Sequence, residues 1–167
     1  GERAWPVKCD ISDEESVNHC VARASEHMGG IDILVNSAGI AFSAPIHKMS
    51  TEDWDRIMGI NLRGAFLVTR AVLPSMLESG WGRAIHLASI AGKSGMEYVA
   101  GYCATKHGLM GMVKASALEV AKKGITVNAV CPGYVESPMT DDNVARIAAR
   151  TGLPAEKVKG TMEGFSP

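Results

Sequence analysis

IDILVNSAG, residues 31–39, decides the fold. Apart from Asp32 its first five residues are apolar, as expected of a short strand covered on both faces. On its N-terminal side, Ser12 followed by Glu15 forms a capping box, and Val17, Val21, Ala24 and Met28 recur at helical spacing until Gly29 and Gly30 stop the helix. Residues 5–9 read as a strand before it, with Pro6 near the start, where a missing N–H is tolerated. On its C-terminal side a helix begins after Ser50 and runs over residues 51–77. Gly59, Asn61 and Gly64 near its middle and Pro74 near its end predict a distortion. Ala84 to Ser89 is the next buried strand, Val99 to Lys123 the next helix with Gly124 as its cap, and Ile125 to Val130 a further strand. Strand and helix alternate, which favours βαβ units and a parallel sheet.

Composition narrows the function classes. The chain of 167 residues is 46% apolar and 21% charged with a formal net charge of −1, so it carries no electrostatic case for nucleic acid or an anionic membrane. No apolar run approaches the ~18 residues of a membrane span, and no signal peptide is visible. Cys9, Cys20, Cys103 and Cys131 form no C-x-x-C unit, and His19, His27, His47, His86 and His107 are scattered. Reduced thiols, no metal site and a cytoplasmic location are the expectations.

Tyr102 and Lys106 in GYCATKHG stand four residues apart, thirteen residues after Ser89. Side chains at i and i+4 share a helix face, so a phenol and an ammonium can address one small volume. A phenol titrates near pH ~10 and exchanges protons poorly at neutrality unless a neighbouring cation stabilises its phenolate. Lys106 is the candidate cation. Ser89 lies at the carboxyl end of a strand, where open parallel sheets place their ligands. It has no G-x-S-x-G elbow, which argues against a hydrolase nucleophile and for a hydroxyl that polarises a substrate carbonyl. Asn61 has two readings of equal weight on physics alone: close helix packing, or an amide or freed carbonyl that holds a water.

IDILVNSAG, NLRGAF at 61–66, AIHLASIAG at 84–92, the Tyr102/Lys106 pair and ITVNAVCPGYVESPMT at 125–140 together resemble the short-chain dehydrogenase/reductases. The resemblance runs from about Val7 to Met139 and implies an α/β, Rossmann-like doubly wound parallel sheet. Against the ~250 residues of a single domain of this kind, the chain reads as an internal part of one. The first two strands, with the glycine-rich pyrophosphate turn, and the last strand are absent. Residues 1–167 then form a partial single domain, with 139–167 as a substrate-lid segment.

The resemblance assigns roles residue by residue. Tyr102 gives or takes the proton, Lys106 lowers the tyrosine pKa and hydrogen-bonds the nicotinamide ribose, Ser89 orients the substrate oxygen, and Asn61 maintains a proton-relay water. Cofactor contacts fall on Asp10 and Ile11 beside the adenine, on Asn36, Ala38 and Gly39 near the adenosine ribose, and on Pro132, Gly133, Val135 and Ser137 near the nicotinamide. For Asp10 a plain turn or helix-terminus charge is a comparable reading. Ser37 stands where the family usually has a second Asn, Ser137 replaces a threonine, and His86 replaces a more familiar Asn with no consequence derivable from the residues. The cofactor is NAD or NADP. The expected reaction interconverts a carbonyl and a secondary alcohol on a small molecule, with 3-oxoacyl or 3-hydroxy compounds carried on CoA or acyl carrier protein among the candidates. An epimerase or dehydratase of the extended branch and a non-catalytic fragment are the alternatives. Helices 51–77 and 99–123 would pair in a homo-oligomer, dimer or tetramer, and the isolated residues are expected to aggregate.

Overall fold

The computed structural model describes residues 4–163. Three strands, β1 (Ile33–Asn36), β2 (Gly82–Leu87) and β3 (Ile125–Val130), form one parallel sheet in the order β1-β2-β3. Helix α1 (Glu14–Met28) leads into β1. Helices α2 (Thr51–Met58) and α3 (Gly64–Ser79), joined by a π turn at Gly59–Arg63, connect β1 to β2; α4 (Ala100–Val120) connects β2 to β3. After β3 come α5 (Pro138–Thr151) and α6 (Ala155–Glu163).

Register explains which face is the core. Leu34, Ala84 and Val127 are neighbours across the ladder, and they pack with Val72 and Met76 of α3 and Leu109 and Val113 of α4. The alternate row carries Ile33, Arg83 and Thr126, then Val35, Ile85 and Asn128. In that row Ile33 and Val35 are 55% and 59% exposed, since no element among the described residues covers that end of the face.

Other local expectations shift for physical reasons. Residues 5–9 pair with no strand among the described residues, and Trp5 stacks on His27 of α1 at 4.4 Å. Asp13, not Ser12, caps α1. Its carboxylate accepts from Glu15 N at 2.8 Å and Ser16 N at 3.2 Å, while the Ser12 hydroxyl donates to Asp10 Oδ1 at 2.6 Å. Helix α4 ends at Val120 rather than Lys123 because the chain tightens into a turn, with Lys123 N bonded to Val120 O at 2.9 Å. Gly124 follows at φ +73, where a Cβ would lie 2.1 Å from Gly80 O, so the bend before β3 requires glycine.

The distortion predicted around Asn61 is the π turn, closed by a bond from Gly64 N to Gly59 O. Gly64 starts α3 against the loop before α1, since a Cβ there would be 2.9 Å from Ile11 O. Pro74 is accommodated inside α3 without ending it.

Candidate active site

Ser89 follows the end of β2 in extended backbone, pinned on either side by Ala88 N to Val130 O at 2.8 Å and Ile90 N to Pro132 O at 3.0 Å. The expected strand to Ser89 ends at Leu87, which leaves Ser89 as the cap of a short 3-10 turn, its Oγ accepting from Ala91 N at 3.1 Å. Tyr102 projects from the first turn of α4 towards this hydroxyl, and Lys106 lies one turn further with Nζ 5.4 Å from the Tyr102 ring centroid. The three side chains predicted to meet do so.

Their electrostatics differ from expectation. Burial is the main influence on Tyr102 and pushes its phenol above the ordinary value, with the Ser89 hydroxyl pulling the other way. The main influences on it do not include Lys106, whose ammonium donates to Leu87 O at 2.6 Å. Lys106 is itself buried, 5% exposed, and desolvation depresses it to about 8.

Asn61 is buried in the π turn, and its amide makes three hydrogen bonds. Oδ1 accepts from Ile40 N at 2.8 Å, and Nδ2 donates to Ile40 O at 2.8 Å and to Thr105 Oγ1 at 3.3 Å. Both Nδ2 protons are donated, and Oδ1 keeps one lone pair for a further donor. Asn61 thus clamps the end of the NSAG turn, and a Cβ on Gly39 would lie 3.4 Å from Asn61 Oδ1 and 3.9 Å from Lys106 Nζ.

A cleft of about 750 Å3 opens in front of Ser89 and Tyr102. Pro132, Gly133, Val135 and Ser137 line it, whereas Asp10, Ile11, Asn36, Ala38, Gly39, Asn61 and Lys106 are not on its wall. The Ser137 hydroxyl caps α5, accepting from Thr140 N at 3.3 Å. Asp10 is exposed and its carboxylate is engaged by Ser12 N at 2.9 Å and by the Ser12 hydroxyl, which lower its pKa. Its observed work is that of a turn residue. Ser37 is exposed, while the neighbouring Asn36 is buried and bonded.

Sequence reasoning missed two aromatic residues. Tyr134 lines the cleft, and burial pushes its phenol up, with the Tyr102 phenol adding to the shift. Tyr98 also lines it and has φ 63, the one positive φ outside glycine among the described residues. Its carbonyl accepts from Ala44 N at 2.7 Å, which joins two walls of the cleft. No local pattern announces either, because both depend on loops meeting across the sheet end.

The family model described as short chain dehydrogenase matches residues 1–148. The chain belongs to that family. It is 40% identical over 149 residues to D-beta-hydroxybutyrate dehydrogenase of Rhizobium meliloti (strain 1021), covering 89% of this chain and 58% of that protein. To a putative ketoacyl reductase of Streptomyces coelicolor (strain ATCC BAA-471 / A3(2) / M145) it is 44% identical over 133 residues, covering 78% and 51%. Among solved structures it resembles sorbitol-6-phosphate 2-dehydrogenase of Erwinia amylovora with a TM-score of 0.91 and 35% identity, covering 99% of this chain and 65% of that one. It resembles an actinorhodin polyketide ketoreductase with NADPH at 0.85 and 40%, covering 89% and 58%. The chain therefore spans less than two thirds of the length of each.

Proposed function

We propose that this chain carries the catalytic part of an NAD- or NADP-dependent oxidoreductase that interconverts a carbonyl and a secondary alcohol. The observation that carries this reading is the Tyr102 phenol beside the Ser89 hydroxyl at the mouth of the cleft, with the Lys106 ammonium beneath the ring. The residues suit a nicotinamide dinucleotide. Ala38 is exposed and Gly39 has no side chain, which leaves backbone open to a ribose, and Lys106 uses one of its three N–H donors on Leu87 O. When bound, the nicotinamide supplies or accepts the hydride. The protein does the rest: Ser89 donates a hydrogen bond to the carbonyl oxygen, Tyr102 delivers the proton to the developing alkoxide, and Lys106 steadies the charge that Tyr102 acquires. At neutrality the phenol holds the proton that reduction of a ketone requires.

The substrate is an extended, largely apolar ketone of the 3-oxoacyl kind. Phe42, Met96, Ile147, Leu153 and Val158 line the cleft, and Lys48 is the one cation among its described lining residues. A thioester carrier, CoA or acyl carrier protein, fits such a tail. Helices α5 and α6 act as the lid, since Asn143, Ile147 and Val158 face the cleft; residues 164–167 of the expected lid segment lie outside the described residues. The protein assembles as a homo-oligomer through α3 and α4, where Phe66 and Leu118 are 46% and 81% exposed. The location proposed is cytoplasmic; among the described residues no helix is long and apolar enough to cross a membrane.

The test is turnover by the full-length protein with NADH or NADPH and a series of 3-oxoacyl thioesters. Tyr102→Phe should lower kcat by about 10²- to 10⁴-fold with an unchanged Tm. Retained turnover in that variant overturns the reading.

A further inference from the structure

His86 lies on the core-facing row of β2, directly opposite Asn36 in the ladder, and is 0% exposed. Thr69 of α3 and Asn36, the neighbours of its two ring nitrogens, are 4% and 7% exposed. The hydrogen bonds around the ring have only one consistent direction. The Thr69 hydroxyl donates to Ala65 O at 2.6 Å, so towards the ring it accepts, and His86 Nε2, 3.2 Å away, carries the proton. Nδ1 is then bare and accepts from Asn36 Nδ2 at 3.3 Å. That leaves Asn36 Oδ1 facing Ala38 N, which donates to it at 3.2 Å. A flipped Asn36 amide would set acceptor against acceptor at Nδ1 and donor against donor at Ala38. Burial and the nearby Lys106 charge both keep the ring neutral, which preserves the bare Nδ1.

We infer that His86 is a positioning residue: through Asn36 it fixes the start of the Asn36–Gly39 turn, on which the cofactor's adenosine ribose would rest. Asn61 clamps the far end of the same turn through Ile40. The turn is thus held between two buried side-chain anchors, one on β2 and one in the π turn. This role rests on the cofactor reading proposed above, so its test has one arm that needs no cofactor.

Two substitutions separate the ring's two nitrogens. His86→Asn keeps an acceptor near the Nδ1 position, within reach of Asn36, and gives up Thr69. His86→Gln keeps a donor near the Nε2 position and gives up Asn36. In the full-length protein without cofactor, amide hydrogen exchange at Ala38 should accelerate about tenfold in His86→Gln and less than about twofold in His86→Asn. With cofactor, KM for the nicotinamide dinucleotide should rise about five- to tenfold in His86→Gln with kcat within about twofold, and stay near wild type in His86→Asn. Equal effects of the two variants on Ala38 exchange, or shifts that merely follow each variant's Tm, overturn the inference. Wild-type protein that binds no dinucleotide while Ala38 exchange still separates the variants overturns the proposed function and the ribose part of this role, but upholds the anchor.

Discussion

Lys106 Nζ donates to Leu87 O at 2.6 Å, tying the second turn of α4 to the last residue of β2. The bond holds a buried ammonium at the sheet end without a carboxylate partner, and desolvation therefore dominates its titration. Lysine side-chain NMR should find its midpoint at about 8 instead of the ordinary 10.5. Because the folded value is the lower one, the unfolded chain holds the extra proton between about 8 and 10.5, and this group's contribution to stability rises with pH across that window. That contribution is fully present above 10.5 and is lost as pH falls through 8. Lys106→Met should abolish the rise; a rise of the same size in that variant would show another group to be responsible.

Ser89 opposes the upward shift of Tyr102, so removing its hydroxyl should move the phenol further up. Ultraviolet titration of tyrosine ionisation in Ser89→Ala should show one tyrosine shifted to higher pH than in wild type. On the proposed reaction, kcat should fall about 10²-fold through loss of a hydrogen bond to the developing alkoxide.

Asn61→Leu leaves both the N–H and the C=O of Ile40 without their side-chain partner. Each such loss costs ~1–3 kcal/mol where the group is buried, and Ile40 is partly so, giving an expected loss of ~2–4 kcal/mol by urea denaturation. A loss below ~1 kcal/mol would mean that water replaces the amide.

Two helical glycines should respond with opposite sign. A Cβ on Gly64 would meet Ile11 O at 2.9 Å and two Ile11 side-chain carbons at 3.0 Å, so Gly64→Ala should destabilise by ~1–3 kcal/mol. Gly111 in α4 has nothing within 4 Å of the same position, and Gly111→Ala should stabilise by up to ~1 kcal/mol. Thermal melts of the pair distinguish close packing from helix propensity.

Much of this protein is legible one residue at a time. The alternation of strand and helix, the break at Gly59–Asn61–Gly64, and the i, i+4 placement of Tyr102 and Lys106 follow from backbone chemistry and helix geometry, which act over a few residues. What a strand or a titrating group meets across the fold is not written locally. Whether Ile33 and Val35 are covered depends on elements packed over their face, and none among the described residues does so. Lys106 serves Leu87 O, and Tyr102 is pushed up by burial, because charge energetics follow the solvent that packing removes. His86, silent in the chain, acquires its meaning only when β1, β2 and α3 bring Asn36 and Thr69 to its two nitrogens. Sequence by itself determined the elements and the chemical groups on offer; tertiary structure decided their partners, since hydrogen bonds and desolvation depend on distances between segments far apart in the chain.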